Sequence, residues 1–295
     1  MSAHRHRAPH RILVVGSINL DLVVTAPTIP APGQTLMGST LLRRPGGKGA
    51  NQALAARRLG AEVTMFGLVG ADSDGLDATA LLRREGVFLP LIDAPDGLPD
   101  DIRSGVAVIT VDAAGENTIV VVPGANDRLT PELLPETITG YDAVICQLEV
   151  PMATVAAVAA RVDGVFCVNA APAAVLPAEV VRRADLIVVN EGEYADLRDQ
   201  LDAAPGLVVR TLGAAGAETV RSGAVTASAR PPRVEVVDTV GAGDASVAGL
   251  VVGMLDGRTD EDLLAFGCAV GALTTTKSGA QEATPTLPQV LAVLD

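Results

Sequence analysis

The sequence predicts an α/β fold with a largely parallel sheet and a small β flap. Three observations carry that. Apolar strand-like runs alternate with helical spacings along most of the 295 residues, as in βα units that build a parallel sheet. The alternation breaks at 105–122, where two β-rich runs joined by DAAGE read as an antiparallel hairpin. No stretch is rich enough in Gly, Pro or Ser to mark a domain boundary, so 1–295 reads as one domain.

The elements follow in order. Residues 11–24 read as an apolar strand, a glycine turn and a second extended piece, and 26–33 as a Pro-rich turn. Residues 49–59 have helical spacing, with Ala50, Ala53, Leu54 and Arg57 on neighbouring faces. A strand at 61–69 and a helix at 77–84 follow, the helix ended by Gly86. After the hairpin come strands at 142–149, 165–169, 185–190 and 206–213, with helices at 152–161 and 178–183. A second hairpin turns around 222–224. One helix starts near Gly243, and another spans 260–275. Residues 1–10 read as a flexible basic tail holding all three histidines, His4, His6 and His10.

Composition excludes several functions. Lys+Arg is 22 against Asp+Glu 35, a net charge of −13. A general nucleic-acid binder would need a basic face. With the histidines assigned to the tail, the folded body has none for a Ser-His-Asp triad or an HExxH zinc site. Cys146, Cys167 and Cys268 form no CxxC pair and read as buried thiols in a reducing cytoplasm. No apolar run reaches the ~18 residues of a membrane helix, and no cleavable leader follows the basic tail.

Six segments carry candidate chemistry. DTVGAGD at 238–244 places small residues where a turn opens a helix. A helix N-terminus offers unpaired N–H groups to an anion, and Asp244 beside it could take a proton from an attacking hydroxyl. The segment equally fits a Gly-rich turn with an acidic first-turn residue. GGKGAN at 46–51 allows close backbone approach, with Lys48 and Asn51 as donors, but is not GxxxxGK[ST]; it also fits a turn before a helix. Asn19 and Asp21 share one side of an extended segment and could grip adjacent hydroxyls. GSINLD lacks GxGxxG, which argues against a dinucleotide site. NEGE at 190–193 could organise hydrated Mg²⁺ or simply start a helix. TLGAAG at 211–216 could accept phosphates or be only a turn. Glu149 ends a strand where open sheets bind ligands. The chain holds 20 Arg but only Lys48 and Lys277, so a retained lysine points to a need for a compact ammonium.

Together these segments resemble the ribokinase-like (PfkB) family of sugar and nucleoside kinases, over about 11–294. GGKGANQA and DTVGAGDASVAGLV occur in the family's order, with NEGE and TLGAAG between them, and GSINLD, GENTIVVVPGAN, QLEVP, NAAPA and KSGAQ add to the match. The resemblance implies a three-layer α/β/α fold with a mostly parallel central sheet and a β lid from about 18–44 and 103–123. It implies transfer of the γ-phosphate of ATP to a sugar hydroxyl, the 5-hydroxyl if the sugar is ribose. Asp244 would be the base, and the backbone of Gly241, Ala242 and Gly243 the anion hole. Asn19, Asp21, Gly46, Gly47, Lys48, Asn51 and Glu149 would hold the sugar. Thr211, Gly213, Gly216, Gly243, Cys268 and Asn190 would line the nucleotide site. Asn190 and Glu193 would organise Mg²⁺ through water. Asp238, Val240, Thr274, Lys277 and Gly279 would flank a monovalent cation, usually K⁺. Lids of the family often pair with a second subunit's lid, so the resemblance implies a homodimer; the thiols place it in the cytoplasm, and no nucleic-acid or membrane partner is expected.

The chain departs from the family pattern at several places. Ser246 stands for Phe, Ala283 for a cation-binding Ser, Ala214 for Ser, Ala170 for Pro and Gln34 for Glu. The 193–211 connection is short, which predicts a missing or reduced helix beside the nucleotide and weak ATP binding.

Overall fold

The structure, a computed structural model, describes residues 8–93 and 101–294. Strands are β1 (Arg11–Val15), β2 (Asn19–Thr25), β3 (Thr40–Gly46), β4 (Glu62–Phe66), β5 (Gly105–Val111), β6 (Asn117–Val122), β7 (Ala143–Gln147), β8 (Val165–Asn169), β9 (Leu186–Asn190), β10 (Leu207–Thr211), β11 (Ala217–Arg221) and β12 (Ala224–Ala229). Helices are α1 (Lys48–Arg58), α2 (Ser73–Arg84), α3 (Pro90–Asp93), α4 (Met152–Arg161), α5 (Ala178–Arg183), α6 (Glu191–Asp202), α7 (Ala242–Leu255), α8 (Asp260–Thr274) and α9 (Leu287–Leu294).

The main sheet has the order β12-β11-β10-β9-β8-β7-β1-β4, parallel except for the edge hairpin β11–β12. Side chains alternate across it. Ile12 and Val14 face one core with α1, α2, α7, α8 and α9, while Leu13 and Val15 face a second core with α4, α5 and α6. Burial on both faces explains the unbroken apolar strands VFCVN and LIVVN. The second sheet, β3-β2-β5-β6, is the lid. Its β2 and β5 run parallel, and its outer pairs are antiparallel.

Four expectations change. The lid has a third strand run, β3, extending to Gly46, two residues past the predicted edge. Helix α2 begins at Ser73, not at 77, because the Asp72 side chain accepts from the Gly75 N–H at 2.8 Å. The short 193–211 connection holds α6, a 12-residue helix absent from the elements read along the sequence. His10 does not belong to a loose tail: its Nε2 lies 3.0 Å from Asp256 Oδ1. The claim of a histidine-free body is corrected accordingly, and the rest of the predicted tail, 1–7, lies outside the described residues. Among the described residues no helix is long and apolar enough to cross a membrane.

Candidate active site

The site forms where the carboxyl ends of β1, β7, β8, β9 and β10 meet the starts of α1 and α7, the ligand side of an open parallel sheet. Asp244 sits in the first turn of α7 and is 8% exposed. Its Oδ2 accepts from Asn51 Nδ2 at 2.8 Å and its Oδ1 from Gln52 Nε2 at 3.2 Å. Behind these, Gln281 Nε2 holds Asn51 Oδ1 at 3.2 Å. Gln147 Nε2 holds Gln52 Oε1 at 2.5 Å, and Gln52 Nε2 also reaches Asn169 Oδ1 at 3.1 Å. The carboxylate is thus aimed by neutral amides from four separate segments. Asn51, predicted for the sugar, gives one of its two amide N–H groups to Asp244.

The turn into α7 needs glycine. Gly241 has φ +79, and a Cβ there would stand 2.6 Å from Ala280 Cα. Gly243 would meet nothing within 4 Å, so its face opens to the site. Of the three predicted backbone donors, Ala242 N–H already donates to Thr239 O at 3.3 Å.

The predicted sugar residues gather below the lid. Asn19 and Asp21 are 3% and 8% exposed. Asn19 Oδ1 accepts from Asn126 Nδ2 at 2.8 Å. Glu149 Oε2 accepts from Ser17 Oγ at 2.6 Å and from the Lys48 N–H at 3.2 Å. A Cβ on Gly46 would fall inside contact distance of the Asp21 carboxylate, and Gly47 holds φ +88. Lys48 is half-buried, and Asp244, with smaller help from Glu149 and Glu193, raises its pKa. Lys277 is exposed, so the rarity of lysine marks only Lys48 as a site cation.

Asp21 has its pKa raised from 3.8 to about 7, first by burial and then by Glu149, Asp244 and Glu282. Between about pH 4 and 7 the folded chain therefore holds a proton that the unfolded chain releases. The stabilising effect of that proton fades as pH rises and is gone above about 7. In sugar-free protein, Asp21→Asn is expected to raise Tm relative to wild type more at pH 8 than at pH 5.5. Equal gaps in thermal melts at the two pH values would refute this.

The nucleotide side is a cavity of about 680 Å³ lined by Thr211, Gly213, Ala214, Gly216, Ser246 and Cys268, among others. Thr211 and Gly243 also line a smaller cavity of about 170 Å³ that reaches Lys48, Asn190, Glu193 and Asp244. Burial pushes the Cys268 thiol up to about 11, and Cys146 and Cys167 are fully buried and pushed up further.

Asn190 and Glu193 form a reciprocal cap on α6, each backbone N–H donating to the other's side-chain oxygen at 2.8 Å. The cap takes one oxygen from each residue. Burial raises the Glu193 pKa, the bond from Asn190 N–H and Lys48 oppose this, and Asp244 adds to it. Among the described residues no three His, Cys, Asp or Glu gather as a metal site. The pair therefore fits a Mg²⁺ held mainly by phosphate and water. Three of the predicted cation residues meet at one corner: Gly279 N–H donates to Asp238 Oδ2 at 2.9 Å, and Val240 N–H to Asp238 Oδ1 at 3.0 Å. The Thr274 hydroxyl donates to Val270 O at 2.9 Å, and its lone pairs remain for a cation.

Sequence reasoning missed Ser17, Gln52, Gln147, Gln281, Asn126 and Asn169 as site residues. The chain has only six Gln, and folding wholly buries Gln52, Gln147 and Gln281, where an amide needs partners.

The pfkB family carbohydrate kinase model matches residues 9–287. Ribokinase of Bacillus subtilis is 37% identical over 290 residues, covering 95% of this chain and 97% of that protein. Ribokinase of Haemophilus influenzae is 35% identical over 305 residues, covering 96% and 98%. The structure of Arabidopsis thaliana ribokinase complexed with ribose and ATP superposes with TM-score 0.81 at 27% identity, covering 98% of this chain and 99% of that one.

Proposed function

This chain belongs to the pfkB family of carbohydrate kinases, and from that premise we propose that it transfers the γ-phosphate of ATP to D-ribose, giving D-ribose 5-phosphate. The observation that carries the proposal is the placement of Asp244. Its buried carboxylate stands between the polar cluster of Asn19 and Asp21 and the cavities that meet at Gly243. A sugar held by Asn19, Asp21 and the 46–49 loop would present a hydroxyl to Asp244. The carboxylate takes that proton as the oxygen attacks phosphorus, so the nucleophile forms only as the bond does. Gly241 and Gly243 N–H groups, with the α7 dipole, meet charge growing on the phosphoryl oxygens. Lys48 adds a compact positive charge beside them. Mg²⁺, when bound, would neutralise ATP phosphates from the Asn190 and Glu193 side. Weak ATP binding, expected from the short 193–211 connection, belongs to this reading, and an ordinary ribokinase-like KM for ATP would refute it.

K⁺ at the corner of Asp238, Val240, Thr274, Lys277 and Gly279, and a cytoplasmic setting, belong to the same reading. So does a homodimer through the lid, supported by Ile119, Val120, Val121 and Val122, which are 56%, 65%, 43% and 55% exposed on one strand. That much aliphatic surface on a sheet edge invites pairing.

The test is ADP release from Mg-ATP across a sugar panel, with and without K⁺. A strong ribose signal is expected. A signal only with another pentose, a ketohexose or a nucleoside would move the acceptor. Silence, with ribose still raising Tm, would replace catalysis by binding.

A further inference from the structure

Arg44 connects two parts of the site. It lies on β3 opposite Asp21 in the β2–β3 pair and two residues before Gly46. Its Nη1 donates to Ser278 Oγ at 2.9 Å and stands 3.9 Å from Asp238 Oδ2. That same Oδ2 accepts from Ser278 Oγ at 3.1 Å and from Gly279 N–H at 2.9 Å. Gly279, at φ +97, leaves the guanidinium its room: a Cβ there would stand 2.9 Å from Arg44 Nη1. One carboxylate thus ties the turn leading into Gly241 to the 276–281 turn, and Arg44 ties both to the lid.

The next residues carry the tie to the reacting atoms. Ala280 is the surface on which Gly241 packs. Gln281 holds Asn51, and Asn51 holds Asp244. Charge matters as well as position. Asp238 lies three residues before Gly241, so an uncompensated carboxylate there would oppose negative charge arriving on phosphoryl oxygens. A planar guanidinium can bridge hydroxyl and carboxylate together, which an ammonium does poorly.

We propose that Arg44 is a positioning residue that clamps lid strand β3 to the turns carrying Gly241 and Asp244, and offsets the charge of Asp238. The proposal rests on the kinase reading above.

The test uses the full chain with Arg44→Ala, Arg44→Lys, Ser278→Ala and the Arg44→Ala/Ser278→Ala double variant. Arg44→Ala is expected to lower kcat about tenfold, part of the roughly hundredfold that a 1 Å misplacement can cost, with KM for ATP little changed. Guanidinium chloride at ~50 mM should restore at least threefold of that loss, and Arg44→Lys should restore less. The double variant should be no slower than Arg44→Ala, because both changes cut one connection. Hydrogen exchange across 276–281 should quicken in Arg44→Ala without substrates present. A kcat within twofold of wild type, a loss deaf to guanidinium, or unchanged exchange would each overturn the clamp. If wild type phosphorylates no sugar, the kinase reading fails by itself, and the exchange result alone decides the clamp.

Discussion

Asp244→Asn is expected to lower kcat by about 10²–10⁴-fold, the scale of general acid–base help, while leaving the fold and sugar binding close to wild type. The reason is local. Asp244 Oδ2 and Oδ1 accept from Asn51 and Gln52, so an asparagine keeps one acceptor and the side-chain shape. It puts an amide donor against one of those donors, a cost in alignment rather than in packing. What disappears is the proton acceptor. Steady-state turnover and a thermal melt on the same preparation check both halves. Turnover within threefold of wild type would remove Asp244 from the chemistry. A collapse in Tm would instead make it a structural carboxylate.

Gly46→Ala is expected to raise the KM for the sugar roughly a hundredfold, the penalty typical of displacing a positioning group by about 1 Å, with a much smaller loss in kcat at saturating sugar. Gly46 ends β3, pairs with Asn19 across the lid and has no positive φ, so alanine suits its backbone. The added methyl group would enter the space of the Asp21 carboxylate. Asp21 is buried and hemmed in by Glu149, Asp244 and Glu282, so it must turn away from where a hydroxyl would lie. Initial rates against sugar concentration separate the two constants. An unchanged KM would mean that Asp21 does not grip the sugar.

The parts of the fold that sequence revealed are those where burial dictates pattern. Strands β8 and β9 are buried on both faces and read as short apolar runs. Helix α4 repeats Val155, Val158 and Ala159 toward one core. Strand β3 was unreadable because TLLRRPG is mostly exposed and follows no alternation. Helix α6 was passed over because it buries only Tyr194, Leu197 and Leu201 along a highly charged stretch. Charged and glycine-rich candidates were legible because they fall together in short motifs, GGKGAN, NEGE and DTVGAGD, though each alone also fits a turn or a helix start. The amides were not, because a glutamine has no evident chemistry until folding brings it to a partner far along the chain. Gln281 and Asn51 meet across 230 positions.

That amide arrangement has a consequence for how the protein responds to its medium. Asn51, Gln52, Gln147, Asn169 and Gln281 bear no ionisable proton, so acid and alkali cannot rewrite their connections. A histidine or carboxylate scaffold would loosen whenever its own charge changed. Here the orientation of Asp244 is constant over the working range, and a pH–rate profile would record the acids that meet substrate and not the supports behind them. The same neutrality makes the support intolerant of isosteric charge. Gln52→Glu would change little in size, yet it would set a second anion against Asp244 in a dry interior and turn an inert brace into a competitor for the proton.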